Sequence, residues 1–149
     1  MEHANNKLDE LFEVLMPEQA TSYALPLFST NVSAGFPSPA DDYTDVKLDL
    51  NQYLIKHPSA TFFLRVKGNS MIDAGIHEGD LLIVDRSLTA ANNKVIIGVL
   101  NGDFTVKRME KRGEQLFLTP ANKAYNPIEV QPGMDFKIWG VVTYVIHKL

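Results

Sequence analysis

Six short runs of β-forming residues constrain the fold of this chain more than any other feature of its sequence. They are TFFLRVK, LLIVD, KVIIGVL, DFTVKRM, QLFLT and FKIWGVVTYVIHK, all after residue 60. Runs of this length, rich in Val, Ile, Phe and Tyr and separated by Gly, Asn, Asp and Pro, are typical of antiparallel strands. We therefore predict a mostly β protein, with an antiparallel β-rich domain over residues 46–149 and a separate N-terminal region over residues 1–45.

The N-terminal region carries a different pattern. In NNKLDELFEVLMP, apolar residues recur at helical spacing up to Pro17, which predicts a short amphipathic helix. No period holds from Glu18 to Asp45, and the prolines near Gly35 favour an extended arm. The stretch DLNQYLIKHP then predicts a second short helix, capped by Asp49 and ended before Pro58.

Composition excludes several classes of protein. The 149 residues are 45% hydrophobic and contain no cysteine, so the chain can bury one core but cannot form disulfides or use a cysteine nucleophile. A net charge of -4 argues against a surface that grips DNA directly through its phosphates, so a role on DNA would act through protein partners. No apolar run approaches the roughly 18 residues of a membrane span, and the start does not resemble a signal peptide, so we expect a cytoplasmic protein.

The sequence VLNGDF gives the clearest local prediction. Asn101-Gly102 between two β runs favours a two-residue type I′ hairpin, which sets Lys107 opposite Ile96. The face of the hairpin that carries Lys107 then also holds Ile96, Gly98, Leu100, Thr105 and Met109. A lysine among these neighbours would be poorly hydrated, with a lowered pKa, and Lys94 on the diagonal would add repulsion. The sequence does not indicate which face of the hairpin packs in the core.

Ser70, in the stretch GNSMI, is a candidate nucleophile without a familiar motif. Ile72 stands where a G-x-S-x-G elbow needs its second glycine, and no S-x-x-K is present, so an ordinary turn serine is the alternative. None of the four histidines has triad spacing, so Ser70 would need a lysine as its base. Neutralising an unperturbed lysine at pH 7 costs about 4.6 kcal/mol, so the base would have to be desolvated, as Lys107 is predicted to be.

Metal and cofactor sites have little support in the sequence. His77 with Glu78 and Asp80 could bind a metal ion, but we expect a solvated turn there. Neither the glycine-rich phosphate loop nor the dinucleotide fingerprint is present. We therefore expect neither a metal nor a cofactor.

The quoted motifs together resemble a known family. GNSMIDAGIHEGDLLIVDRS followed by DFTVKR resembles the LexA-like self-cleaving serine peptidases. The arm LPLFSTNVSAGFPSPADDY and the later LTPANKAYNPI and WGVVTYVI are similar, in order and spacing, to the UmuD-type members, over roughly residues 24 to 147. The resemblance implies Ser70 as nucleophile, Lys107 as general base, the Met71 backbone as an oxyanion contact, and cleavage between Ala34 and Gly35. Ala34 resembles LexA at this bond, because UmuD usually has cysteine there.

The resemblance also implies a cellular role. In this family a RecA filament on single-stranded DNA stimulates the self-cleavage during the SOS response. The shortened chain would form a homodimer and join a UmuC-type polymerase subunit, as DNA polymerase V, for translesion synthesis. It implies no direct specific DNA binding and no membrane.

Three alternatives remain beside this interpretation. One is a non-cleaving β docking module that restrains or recruits a DNA polymerase. A LexA-type repressor is disfavoured, because about 45 residues with one helix cannot house a helix-turn-helix module. A signal peptidase, which has a similar serine-lysine dyad, would need a membrane anchor.

Overall fold

The computed structural model describes residues 14–15, 22–28, 32–37 and 46–149. These residues group into two compact units, one comprising residues 22–28, 32–37 and 46–56, the other residues 14–15 and 57–149. The functional boundary predicted between residues 45 and 46 stays a prediction.

The described elements confirm the prediction of a mostly β protein with short helices. In chain order they are β1 (Val14–Leu15), β2 (Ala24–Leu27), β3 (Val46–Asp49), α1 (Leu50–Leu54), β4 (Thr61–Arg65), β5 (Leu81–Asp85), β6 (Val95–Leu100), β7 (Asp103–Arg112), β8 (Gln115–Thr119), β9 (Ile128–Glu129) and β10 (Phe136–Ile146). Short 3₁₀ turns lie at Pro58–Ala60 and Ile72–Ala74. The six predicted runs form β4 to β8 and β10.

The larger unit is built on one antiparallel sheet in the order β1-β4-β5-β10-β6-β7-β8-β9. The long strand β10 pairs on one side with β5 and on the other with β6, with bulges in both ladders. The C-terminal strand thereby joins the hairpin β4–β5 to the hairpin β6–β7. The strand β7 therefore lies in the same sheet as β4 and β5, the two strands that flank residues 66–80.

The β6–β7 hairpin forms as predicted. Leu100 lies opposite Asp103 and Ile96 lies opposite Lys107. Asn101 and Gly102 have φ angles of 48° and 83°, the left-handed conformation that both central residues of a type I′ turn require.

Both faces of this hairpin are packed, which answers the question that the sequence left open. Ile97 and Val106 belong to a core cluster with Leu64, Met71 and Leu82. Residues of the alternate set lie in a second cluster, whose buried members are Ile96, Met109, Leu118 and Val141. Lys107 therefore lies on the face of β7 that carries Met109 of the second cluster, while the preceding residue Val106 faces the first cluster.

The smaller unit contains a strand within the predicted arm. β2 pairs with β3 in an antiparallel ladder that places Pro26 opposite Lys47. The sequence ALPL did not predict this strand, because it shows no alternation and proline disfavours strand interiors. The second predicted helix is confirmed as α1: the Asp49 Oδ1 atom accepts a hydrogen bond from Asn51 N at 2.9 Å and caps it.

The first predicted helix is wrong at its C-terminal end. Val14 and Leu15 form strand β1, opposite Leu64 and Phe63 of β4. An isolated short helix is only marginally stable in water, whereas pairing with the edge of the sheet gives the backbone groups of Val14 and Leu15 hydrogen-bond partners. The rest of that prediction lies outside the described residues.

Candidate active site

Ser70 lies in a long excursion between β4 and β5, which we call the Ser70 loop (residues 66–80). Two backbone hydrogen bonds close its base, from Val66 N to Asp80 O at 2.9 Å and from Gly79 N to Val66 O at 2.8 Å. Ser70 itself is half-buried, just before the 3₁₀ turn Ile72–Ala74. The sequence placed Ser70 in a turn, and the structure does the same.

Met71 anchors the Ser70 loop in the core. Its side chain is 1% exposed, and its carbonyl oxygen accepts hydrogen bonds from Ala74 N at 3.0 Å and Ile76 N at 3.2 Å. The Met71 sulfur also accepts a hydrogen bond from Ala121 N at 3.3 Å. Burial of the residue that follows the serine restricts the backbone on which Ser70 stands.

The segment after β8 holds the other side of the Ser70 loop. Asn122 donates its side-chain amide to Asn69 O at 2.8 Å, and the Tyr125 hydroxyl donates to Asn69 Oδ1 at 2.9 Å. Asp73 N donates to Ala121 O at 2.7 Å. Sequence reasoning missed these supports; the signal available was the motif LTPANKAYNPI, which contains them.

Lys107 reaches Ser70 from β7. Its Nζ atom lies 3.2 Å from Ser70 Oγ, 2.8 Å from Thr105 Oγ1 and 3.1 Å from the carbonyl oxygen of Val106. Burial lowers the pKa of Lys107 below its usual value, as the hairpin register predicted. The cause is desolvation, not the predicted repulsion from Lys94.

The contacts of Lys107 accommodate both protonation states of its amine. An ammonium can donate one N–H to each of the three oxygen neighbours, whereas a neutral amine has two N–H groups and one lone pair. When Thr105 Oγ1 and Val106 O accept the two N–H groups, the lone pair remains for the hydroxyl proton of Ser70. The arrangement can therefore remove a proton from serine without a histidine.

Ala34 and Gly35 lie in the smaller unit, within a bend. Both residues are exposed, and the neighbouring Phe36 is 87% exposed. Gly35 has a φ angle of 137°, a backbone conformation that residues other than glycine rarely adopt. A substitution at Gly35 would therefore strain this bend.

Comparison with known proteins assigns the chain to a family. The family model described as Peptidase S24-like matches residues 26–143, a range that includes Ser70 and Lys107. The chain belongs to the Peptidase S24-like family. This S24 membership makes it a protein of the serine peptidase kind. It agrees with the LexA-like resemblance predicted from the sequence.

Curated relatives support the same S24 assignment. Protein MucA of Salmonella typhimurium is 45% identical over 123 residues, covering 82% of this chain and 84% of MucA. Protein SamA of Salmonella typhimurium strain LT2 is 44% identical over 132 residues, covering 89% of each chain. The LexA repressor of Shewanella piezotolerans is 43% identical over 133 residues, covering 89% of this chain and 63% of the repressor. MucA and SamA are UmuD-like, which supports an SOS mutagenesis protein of the S24 family.

The helices of the described residues do not include a membrane span, because none of them is both long and apolar enough.

Proposed function

We propose that this chain is an autocatalytic serine peptidase of the SOS response that cuts itself between Ala34 and Gly35. Ser70 is the nucleophile and Lys107 the general base. The observation that carries the proposal is the 3.2 Å contact between Lys107 Nζ and Ser70 Oγ, made by a lysine whose pKa is lowered by burial. Membership of the S24-like family supports it.

The reaction follows from these two side chains. The neutral Lys107 amine takes the hydroxyl proton as Ser70 Oγ attacks the carbonyl carbon of Ala34. The resulting ammonium then protonates the amide nitrogen of Gly35, so the peptide bond breaks and Ala34 remains as an ester on Ser70. Water, deprotonated by the same amine, hydrolyses the ester and restores the serine. Each chain needs one turnover.

The Met71 backbone N–H is our candidate for the oxyanion contact. Among the described residues, no acceptor lies in hydrogen-bonding position for this N–H. A donor that is fixed by the buried Met71 side chain and not already engaged is available for the negative charge that develops on the Ala34 carbonyl oxygen. Its role stays a proposal.

The proposed scissile segment suits a half-buried nucleophile. Ala34 is small, and Gly35 has no side chain to obstruct close approach of the serine. A substrate on the same chain, or on a dimer partner, is present at high effective concentration, which lowers the barrier by several kcal/mol. A serine-lysine pair that reacts slowly is then sufficient for self-cleavage.

The proposed role is regulated activation of a polymerase accessory factor. A RecA filament on single-stranded DNA would stimulate cleavage, and residues 35–149 would dimerise and join a UmuC-type subunit in translesion synthesis in the cytoplasm. In this scheme residues 1–45 are the cleavable region and residues 46–149 the peptidase and dimerisation domain. Kinship with MucA and SamA supports the scheme, and the net charge of -4 fits recruitment through proteins.

Intact mass spectrometry tests the proposal. Wild type, Ser70→Ala and the control Ser59→Ala, an exposed serine in the turn before β4, are each incubated at high pH, and separately with RecA, single-stranded DNA and nucleotide. Wild type and Ser59→Ala should yield fragments 1–34 and 35–149, and Ser70→Ala should stay intact. Cleavage of Ser70→Ala at the same bond would exclude Ser70 as nucleophile. A wild type that stays whole in both conditions would favour the non-cleaving docking module.

A further inference from the structure

A second cluster of reactive side chains lies away from Ser70 and Lys107. His77, Asp80 and His147 each offer a ligand atom, and these atoms lie within 4.8 Å of one another. His77 and Asp80 belong to the Ser70 loop, and His147 follows directly after β10. The sequence had grouped Glu78 with His77 and Asp80, but Glu78 instead accepts a hydrogen bond from Gly68 N at 3.4 Å. The long-range neighbour His147 completes the cluster.

Asp80 is the centre of this cluster. It is 3% exposed; its Oδ1 atom lies 2.6 Å from His147 Nδ1, and its Oδ2 atom lies 3.7 Å from His77 Nδ1. The His77 backbone N–H also donates a hydrogen bond to Asp80 Oδ2 at 2.8 Å. Both carboxylate oxygens are therefore held in place beside the two imidazoles.

The imidazoles of His77 and His147 are positioned to coordinate an ion together with Asp80. Their ring centroids lie 4.9 Å apart, and their side chains are 49% and 44% exposed. Half-exposed rings can reorient without disturbing the core, while the buried carboxylate stays in place. An ion could enter this cluster directly from solvent.

We propose that His77, Asp80 and His147 bind one divalent first-row transition metal ion, with Zn²⁺ the best match. Two imidazole nitrogens and one carboxylate oxygen are a common ligand set for zinc, and water can complete the tetrahedron. Neighbouring ligands in such a site lie about 3.3–3.6 Å apart, so the present donors need to move by about 1 Å. This proposal is independent of the peptidase function.

Metal binding at this cluster displaces one proton. The hydrogen that lies between His147 Nδ1 and Asp80 Oδ1 leaves to solvent, and both atoms then coordinate the ion. The bound ion connects the end of β10 to the base of the Ser70 loop, where Val66 pairs with Asp80. Zinc should therefore stabilise the folded protein.

Calorimetric titration of the chelator-treated full chain with Zn²⁺ at pH 7.5 tests the site. One equivalent should bind, and His77→Ala and His147→Ala should each weaken binding by about 100-fold. The matched control is His57→Ala: His57 Nδ1 lies 2.6 Å from Asp85 Oδ2, the same kind of pair but without a second imidazole. His3→Ala controls for a histidine outside the described residues. Both controls should bind zinc like the wild type.

Thermal unfolding and Co²⁺ absorption give two further readouts. Zinc should raise the melting temperature of wild type and His57→Ala but not of His147→Ala, and Co²⁺ should give the intense visible bands of a tetrahedral site only in the first two. His77 makes no side-chain hydrogen bond to Asp80, so His77→Ala tests the site even where His147→Ala fails to fold. Absence of zinc binding to the wild type, or equal binding to His77→Ala, would overturn the proposal.

Discussion

Lys107 Nζ lies 3.2 Å from Ser70 Oγ, although 37 residues separate the two in sequence. The strand that carries Lys107 also supplies two acceptors for its amine, Thr105 Oγ1 and the carbonyl oxygen of Val106. β7 therefore provides both the proposed base and the groups that orient it.

Lys107→Met should separate activity from stability. Methionine keeps the length of the side chain but has no proton acceptor of sufficient strength, so we expect self-cleavage to slow by about 10²–10⁴-fold. Because burial disfavours the lysine ammonium, unfolding in urea at pH 7 should need as much denaturant as in wild type, or more. Lys111→Met, an exposed lysine on the same strand, is the control and should cleave normally. Normal cleavage by Lys107→Met would exclude Lys107 as the base.

The rate of self-cleavage should rise with pH and then level off. In the proposed mechanism the neutral amine is the active form, and the folded-state pKa of Lys107 is lowered, so the plateau should begin below the usual value of 10.5. Thr105→Val removes an acceptor that also stabilises the ammonium, so the midpoint should move to lower pH. The measurement is the single-turnover rate between pH 6 and 10, and a rate independent of pH would contradict the mechanism.

Tyr125→Phe should slow self-cleavage by about tenfold without unfolding the protein. The phenylalanine lacks the hydroxyl that donates to Asn69 Oδ1, so the Ser70 loop loses one of its supports, and small displacements of a nucleophile are costly. The neighbouring exposed Lys123→Ala is the control. Rates from intact mass spectrometry should fall with the pH midpoint unchanged, since Lys107 is untouched; a shifted midpoint would argue against a positioning role.

Gly140→Ala should destabilise the larger unit by about 1–3 kcal/mol. A Cβ atom at this position in β10 would lie 2.5 Å from Val84 Cγ1 and 3.3 Å from Arg86 Cγ. Val84 is fully buried and cannot move aside easily. Gly98→Ala, whose Cβ would lie 3.1 Å from the half-buried Phe136 ring, should cost less. Urea unfolding of both variants checks the order, and a reversed order would be inconsistent with the packing.

Asp85→Asn should flatten the acid side of the stability curve. Burial raises the pKa of Asp85, but hydrogen bonds from Ser87 and His57 outweigh it and lower the pKa below 3.8. A lowered folded-state pKa contributes stability above the unfolded-state value, and this contribution is lost as pH falls through the folded-state value. Urea unfolding at pH 7 and at pH 3 should show a smaller difference for Asp85→Asn than for wild type. The exposed Asp73→Asn serves as control, and equal differences in all three would refute the argument.

The sequence alone determined the features that depend on near neighbours. Six of the strands, the helix capped by Asp49 and the pairing of Ile96 with Lys107 were all predictable. A two-residue turn sets the register of its hairpin, and the alternation of side chains then defines the face on which Lys107 lies. The apolar neighbours on that face predicted a desolvated lysine, and the structure then showed that the face is packed.

Only the tertiary structure decided which distant segments meet. Strands β1, β2 and β9 have two to four residues, too few to show a period, and they are stabilised by pairing to existing partners. The contacts of Tyr125 with Asn69 and of His147 with Asp80 join residues 56 and 67 positions apart. Such contacts depend on packing between whole strands, which no local pattern encodes, because loop closure permits many pairings and the buried core selects one.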